Sequence, residues 1–175
     1  MSQERAGVSP ADLEDLDLGR LDAFLAGRVP GLVASSSREE VAMRVGLMAK
    51  SVPRVVPTVA GLYLFGKLPQ LYFPEWGLGC MASSGTTLLD PIAARADLDG
   101  SLPALIDGAL RFVASSAGGT EGGDGAEYDG DVVREVIVNA LVHRDLRKPS
   151  RVALRVFADR LEVWSPGGPV EGSTD

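Results

Sequence analysis

The stretch VVREVIVNALVHRD, residues 132–145, decides how this chain is interpreted. It holds the only asparagine and the only histidine of the sequence, Asn139 and His143. With Glu135 they follow an i, i+4, i+8 spacing, which stacks three polar side chains along one face of an α-helix. The remaining positions are mostly apolar, as in a helix packed on a core. We expect the packed flank to comprise Val132, Val133, Val136, Ile137, Ala140 and Leu141. Such a helix gains no stability from a Glu–Asn–His stripe, so the stripe is a candidate functional feature.

The composition sets the limits of the interpretation. The chain has 175 residues, 45% of them apolar, which suffices for one domain or two small ones. Its net charge of −7 disfavours binding to nucleic-acid phosphates by this chain alone. Cys80 is the sole cysteine, so an intrachain disulfide and a cysteine-rich zinc site are excluded. The N-terminal residues are polar and acidic, and no apolar run approaches a membrane span. We therefore expect a soluble, cytoplasmic protein without membrane contact.

The distribution of apolar and turn residues predicts an α+β fold. Helical spacing and capping signals predict helices at residues 11–26, 37–48, 57–65 and from 101 onward. Residues 76–83 are predicted to form a strand and residues 150–168 a β-hairpin, whereas the turn-rich residues 84–100 are not assigned to an element. The glycine-rich, acidic segment 118–130 separates the two parts. We therefore predict a helical part with a short sheet at residues 1–120, and a second domain at residues 121–175.

One apparent phosphate-binding motif is rejected. Gly61, Gly66 and Lys67 match the G-x-x-x-x-G-K spacing of a phosphate-binding loop. However, Leu68 stands where that loop needs a serine or threonine, and the residues between the glycines are apolar. We predict that this segment belongs to the core.

The residues of the stripe allow two explanations. In a nucleotide–magnesium site, Glu135 would orient or deprotonate water, and the Asn139 amide oxygen would bind Mg²⁺. His143 and Arg144 would then contact phosphate. Alternatively, the stripe is polar decoration of a helix end, where basic residues complement the helix dipole. Spacing alone leaves both open, although it excludes a zinc site and gives no serine-hydrolase motif.

Three segments resemble one protein family. REVIVNALVHRD resembles the N-box helix, E-x-x-x-N-A-x-x-H, of the GHKL-type ATP-binding fold, in the variant found in RecG-like, Schlafen/AlbA-associated ATP-binding regulators. PTVAGLYLFGKLPQLYFP, residues 57–74, is similar to the central segment of that family. FADRLEVWSPGG is similar to its F-D-D-R-L-E-I-x-N-P-G-G segment. The blocks stand in the family's order and cover roughly residues 12–170.

The resemblance implies roles for individual residues. Glu135 would position the attacking water and Asn139 would bind Mg²⁺. The turn at Ser165, Gly167 and Gly168 stands where the family contacts adenine, although Ser165 replaces the usual Asn or Asp. The implied fold is the N-box helix and β-hairpin of a GHKL-like two-layer domain, and the implied cofactors are ATP and Mg²⁺.

The resemblance also implies a function. We expect a central fragment of an ATP-binding transcriptional regulator, because the family's ATP lid, its AlbA-like module and its winged-helix segments have no counterpart in these residues. We therefore expect at most weak ATPase activity, and contact with nucleic acid only through modules absent from this chain. The alternative is a non-catalytic assembly domain that no longer binds nucleotide. In that case an incomplete sheet would leave an open edge that favours a homo-oligomer.

Overall fold

The protein has an α+β fold. A computed structural model of the chain describes residues 7–8, 10–117 and 129–167, and in these ranges it contains six α-helices and two sheets. The chain forms two compact units. The first comprises the residues up to Pro74 together with Gly100–Leu102, and the second comprises Glu75–Asp99 together with the residues from Pro103 onward. The predicted division into domains 1–120 and 121–175 stays a prediction.

The first unit combines a group of helices with a two-stranded antiparallel sheet. Its elements are α1 (Leu18–Arg28), α2 (Pro30–Val33), α3 (Arg38–Arg44), β1 (Met48–Ser51), β2 (Arg54–Pro57) and α4 (Val59–Phe65). The predicted capping box is confirmed, because the Ser37 N–H donates to Glu40 Oε2 at 3.2 Å and the Glu40 N–H donates to Ser37 Oγ at 3.3 Å. Because α3 ends at Arg44, it is shorter than predicted.

Helix α4 begins two residues later than the sequence suggested. Pro57 is the last residue of β2, so its prediction as part of the first helical turn is wrong. Thr58 caps the helix instead: its Oγ1 accepts from the Gly61 N–H at 3.0 Å and donates to the Gly46 carbonyl at 2.8 Å. Gly61 must be glycine here, because a Cβ would collide with the Leu47 carbonyl oxygen.

The segment with the phosphate-loop spacing is core, as predicted. Leu62, Tyr63 and Phe65 of α4 are buried, so the segment is a helix rather than an open anion-binding loop. The Lys67 Nζ atom donates to the Glu14 carbonyl at 2.8 Å. This lysine therefore contacts the surface of its own unit.

The second unit contains a four-stranded mixed sheet and two long helices. Its elements are β3 (Leu78–Ser83), β4 (Ile92–Leu98), α5 (Leu102–Ala117, from Pro103 onward in this unit), α6 (Gly130–Val142), β5 (Val152–Val156) and β6 (Leu161–Trp164). The strand order is β4-β3-β5-β6, with β3 parallel to β5 and the other neighbours antiparallel. The predicted strand at 76–83 and the predicted hairpin are confirmed, and β4 lies in the unassigned segment.

One face of this sheet is apolar and forms the core of the second unit. Parallel pairing aligns the buried residues of β3 with those of β5. These are Leu78 with Val152, Cys80 with Leu154, and Ala82 with Val156. Helix α5 lies close to this face, since a Cβ at Gly108 would be 3.1 Å from the Leu98 side chain. Helix α6 contributes Val133, Ile137 and Leu141, which we call its buried stripe. The opposite face, called the open face below, carries charged residues of β4, β5 and β6.

In the described ranges of the chain, none of the helices has both the length and the apolar character needed to cross a lipid bilayer.

Candidate functional site

Helix α6 carries the candidate site. Asp129 caps its N-terminus by accepting from the Asp131 N–H at 2.9 Å. At the other end, the His143 N–H donates to the Asn139 carbonyl at 3.0 Å, and the regular helix stops at Val142. The chain then leaves the helical path, because the Asp145 N–H donates to the Pro166 carbonyl at 2.7 Å.

Glu135 and Asn139 lie on the exposed face of α6, and His143, the C-cap residue of this helix, is also exposed. We call these three residues the polar stripe. At about 100° per residue, they are on the side of the helix opposite its buried stripe. Their side chains form no hydrogen bond or ion pair with any residue that the structure describes. Asn139 therefore does not serve as a buried structural amide, and its oxygen and nitrogen face solvent.

The two outer valines of the expected packed flank are placed differently. Val132 is 58% exposed and Val136 is 40% exposed, so their prediction as packed residues is wrong. On the helix, Val132 and Val136 lie on the same side as Asn139 and not on the side of the buried stripe. Ala140 is half-buried, at the border between the two faces. The exposed face of α6 is therefore mixed, with polar groups flanked by apolar side chains.

The turn that follows β6 packs on the end of α6. The Ser165 Oγ donates to the Ala140 carbonyl at 2.7 Å. A Cβ on Gly167 would be 3.8 Å from the His143 carbonyl oxygen, so this turn approaches the helix end closely. Gly168, the last residue of the predicted adenine-contacting turn, lies outside the described residues. The structure thus brings Ser165 and Gly167 next to the C-terminal end of the polar stripe.

Arg144 points inward rather than toward the polar stripe. Its side chain is buried, and its two Nη atoms donate to the carbonyls of Glu75 and Ser150 at 2.9 Å each. Trp76 Nε1 donates to the Leu146 carbonyl at 3.2 Å and ties the same loop down. In this placement Arg144 orders the loop after α6, because both terminal nitrogens are engaged with backbone carbonyls. No local sequence pattern distinguishes this role from the predicted phosphate contact.

The loop after α6 also carries a surface ion pair. Arg147 Nε donates to Asp145 Oδ1 at 2.9 Å, and Arg147 Nη2 donates to Asp145 Oδ2 at 2.9 Å. This pairing lowers the pKa of Asp145 to about 2. Asp145 thus stays ionised and partly neutralises the Arg147 guanidinium.

The donor set restricts which cofactors the site could hold. Among the residues that the structure describes, no three His, Cys, Asp or Glu side chains converge as metal ligands. A Mg²⁺ ion at the polar stripe would therefore need phosphate oxygens and water besides the Asn139 amide oxygen, and Mg²⁺ commonly binds in this way. The Cys80 thiol lies in the core, where burial raises its pKa to about 12. It is therefore not a candidate nucleophile.

Comparison with known proteins bears on the fold. No protein-family model matches the chain, and no curated protein matches it. Among solved structures it is similar to the DIP2311 protein from Corynebacterium diphtheriae, with a TM-score of 0.63 and 21% sequence identity. The match covers 99% of this chain and 29% of that chain, so this sequence corresponds to less than a third of the other protein. At this level of identity the likeness concerns the α+β fold alone.

Proposed function

We propose that this chain is part of an ATP-binding transcriptional regulator of the RecG-like kind, and that its nucleotide–magnesium site is built on the polar stripe of α6. One observation carries the proposal. Glu135, Asn139 and His143 are exposed on one face of a helix whose opposite face is buried, and no described residue pairs with their side chains. These side chains are therefore available to a ligand.

The chemistry of each side chain suits a different part of Mg·ATP. The Asn139 amide oxygen is a neutral, hard ligand for the metal, and the metal in turn neutralises charge on the phosphates. Glu135, one helical turn before Asn139, would orient a water molecule as a general base does. His143, one turn after it, would donate a hydrogen bond to phosphate. The order along the helix is thus water, metal and phosphate.

The turn at Ser165 and Gly167 would form the adenine side of the site. Ser165 already donates its hydroxyl hydrogen to the Ala140 carbonyl. Its oxygen keeps lone pairs that can accept from an amine such as the adenine N6 group. A single hydroxyl is a weaker anchor than the carboxylate or amide that the family uses, so we expect weak discrimination between bases.

We expect weak binding and negligible turnover. A triphosphate is held tightly only where several donors converge on it. The described site provides one imidazole and one amide, while the Arg144 guanidinium is engaged elsewhere. An affinity on the order of 1 mM would correspond to about 4 kcal/mol of binding free energy. A regulator of this kind would act in the cytoplasm.

A second candidate function is protein interaction without nucleotide. It is favoured by the valines on the outer face of α6, of which Val132, Val136 and Val142 are 58%, 40% and 51% exposed. Val132 and Val136 are one helical turn apart, and neighbouring exposed apolar side chains on a helix suit contact with another protein. In that case the polar stripe would supply hydrogen bonds to a partner protein rather than to phosphate.

Calorimetric titration with Mg·ATP distinguishes the two candidates. We expect weak binding that requires Mg²⁺ and is lost in Asn139→Ala. Val132→Ala is the matched control, because it also truncates an exposed side chain of α6 and should leave the affinity unchanged. Binding that persists in Asn139→Ala, or no binding at millimolar ATP, would contradict the nucleotide site.

A further inference from the structure

Strand β4 is an unusual edge strand. It is the outermost strand on one side of the four-stranded sheet and, with seven residues, the longest strand among those described. Within the described part of the chain it pairs only with β3. Its sequence, IAARADL, contains no proline, glycine or lysine. Natural proteins use lysine, proline or a β-bulge, among other devices, to keep edge strands from pairing with another chain. In β4 a bulge at Ala93 interrupts the pairing near the start of the strand, whereas residues 94–98 pair regularly with β3.

The two charged residues of β4 have opposite signs, and they can face each other when two β4 strands pair antiparallel. Arg95 and Asp97 are two residues apart, so both side chains lie on the open face of the sheet. Both are exposed, and neither forms an ion pair with another residue in the described ranges. In an antiparallel pair of identical strands, residues facing each other have numbers with a constant sum. If Ala96 faces Ala96, then each Arg95 faces an Asp97.

We propose that β4 pairs antiparallel with β4 of a second copy of this chain, with the two-fold axis at Ala96. The two sheets would then join into one eight-stranded sheet. Two identical Arg95–Asp97 pairs would flank the axis, since a two-fold interface repeats each contact. Opposite charges that face each other across strands stabilise a sheet, whereas like charges destabilise it.

The same charges select one register. The smallest shifts that keep the apolar face aligned change the sum by two, because successive residues alternate between faces. One such shift would place Arg95 opposite Arg95, and the other would place Asp97 opposite Asp97. Of these three registers, only the one centred on Ala96 avoids both repulsions. The pattern therefore favours one pairing and disfavours its neighbours.

The apolar face of β4 is compatible with this pairing. Ala94, Ala96 and Leu98 are half-buried at the rim of the core. The proposed register sets Ala96 against Ala96 and Ala94 against Leu98, so small and large side chains meet and the core continues across the axis. The candidate nucleotide site lies at the opposite edge, where α6 contacts β6. The dimer thus does not depend on the proposed function.

Sedimentation equilibrium of the wild-type chain and charge variants tests the pairing. We expect the wild type to be a dimer that weakens with added salt. Arg95→Glu and Asp97→Arg should each weaken dimerisation by about tenfold or more, because each turns two attractive pairs into two repulsive ones. An equimolar mixture of the two variants should form a heterodimer, since both facing pairs are then opposite in charge. Arg134→Glu and Asp131→Arg on α6 are controls with the same changes of charge, and should dimerise like the wild type.

Two outcomes would overturn the proposal. The first is a wild-type chain that stays monomeric at millimolar concentration. The second is a dimer that survives the single reversals, or one that the mixture fails to restore, because the interface would then lie elsewhere. Circular dichroism verifies that each variant is folded.

Discussion

The two faces of helix α6 differ in how strongly the fold constrains them. The buried stripe is enclosed by the apolar face of the sheet, and Ile137 and Leu141 are at most 2% exposed. The polar stripe on the other side contacts no described side chain through a hydrogen bond or ion pair. Replacements on the first face should therefore change stability, whereas replacements on the second should change only binding.

Ile137→Ala should have the largest effect on stability. Removing three carbons from a fully buried position costs the transfer free energy and leaves a cavity, so the free energy of unfolding should fall by about 2–4 kcal/mol. Urea denaturation followed by circular dichroism measures this. Val132→Ala, at a position that is 58% exposed, is the control and should cost less than about 0.5 kcal/mol. Equal losses in the two variants would mean that the faces of α6 are not distinct.

Arg144→Met should have the next largest effect. The methionine keeps much of the volume but leaves the carbonyls of Glu75 and Ser150 without their guanidinium donors. An unsatisfied buried acceptor is costly, so we expect a loss of roughly 1–3 kcal/mol in unfolding free energy. Arg147→Met removes an exposed arginine from the same loop and should leave the denaturation midpoint nearly unchanged. If Arg144→Met instead weakened Mg·ATP binding without affecting stability, Arg144 would belong to the nucleotide site.

Elements with strong local signals could be predicted from the sequence. The buried stripe of α6 and the hairpin β5–β6 follow from periodicities that do not depend on distant residues. Strand β4 was harder to predict from the sequence, because IAARADL has small and charged residues where a strand usually carries large apolar ones. Only pairing with β3 makes it a strand, and that pairing is a tertiary contact.

The positions of the candidate site residues along the helix could be predicted from the sequence, but the tertiary contacts around them could not. Asn139 and Glu135 could be placed on one helical face from their numbers alone. The sequence could not show that Arg144 points inward. This orientation depends on the carbonyl of Glu75, which is distant along the chain, and on the carbonyl of Ser150, which lies beyond the end of α6. Likewise, Ser165 contacts Ala140 across 25 residues, and no local pattern encodes that hydrogen bond.

Ser165→Ala tests the contact between the turn and α6. The hydroxyl of Ser165 donates to the Ala140 carbonyl in a partly buried setting, and such a hydrogen bond contributes about 0.5–1.5 kcal/mol. We expect a loss of that size in unfolding free energy. Ser115→Ala removes an exposed hydroxyl bonded to a carbonyl within α5 and should cost less. A larger loss in the control would show that the turn does not hold the helix end.

The Asp145–Arg147 ion pair should have a small effect on how thermal stability depends on pH in acid. The Arg147 guanidinium lowers the pKa of Asp145 to about 2, below the value of about 3.9 for an unfolded chain. A carboxyl group with a lowered pKa stabilises the fold above its unfolded pKa, and this stabilisation is lost as the pH falls toward the folded pKa. Asp145→Asn should therefore lose less thermal stability than the wild type between about pH 4 and pH 2. Melting temperatures measured across that range check this, and identical pH profiles would contradict the pairing.

Asn139→Ala should have the smallest effect on stability. Its side chain is exposed and bonds to no described residue, so the free energy of unfolding should stay within about 0.5 kcal/mol of the wild type. A buried, hydrogen-bonded amide would instead cost about 1–3 kcal/mol. The same variant should lose Mg·ATP binding, because the amide oxygen is the metal ligand in the proposed site. Unchanged stability with lost binding would assign Asn139 to the ligand, whereas a large loss of stability would place it with the buried stripe and remove the distinction between the two faces of α6.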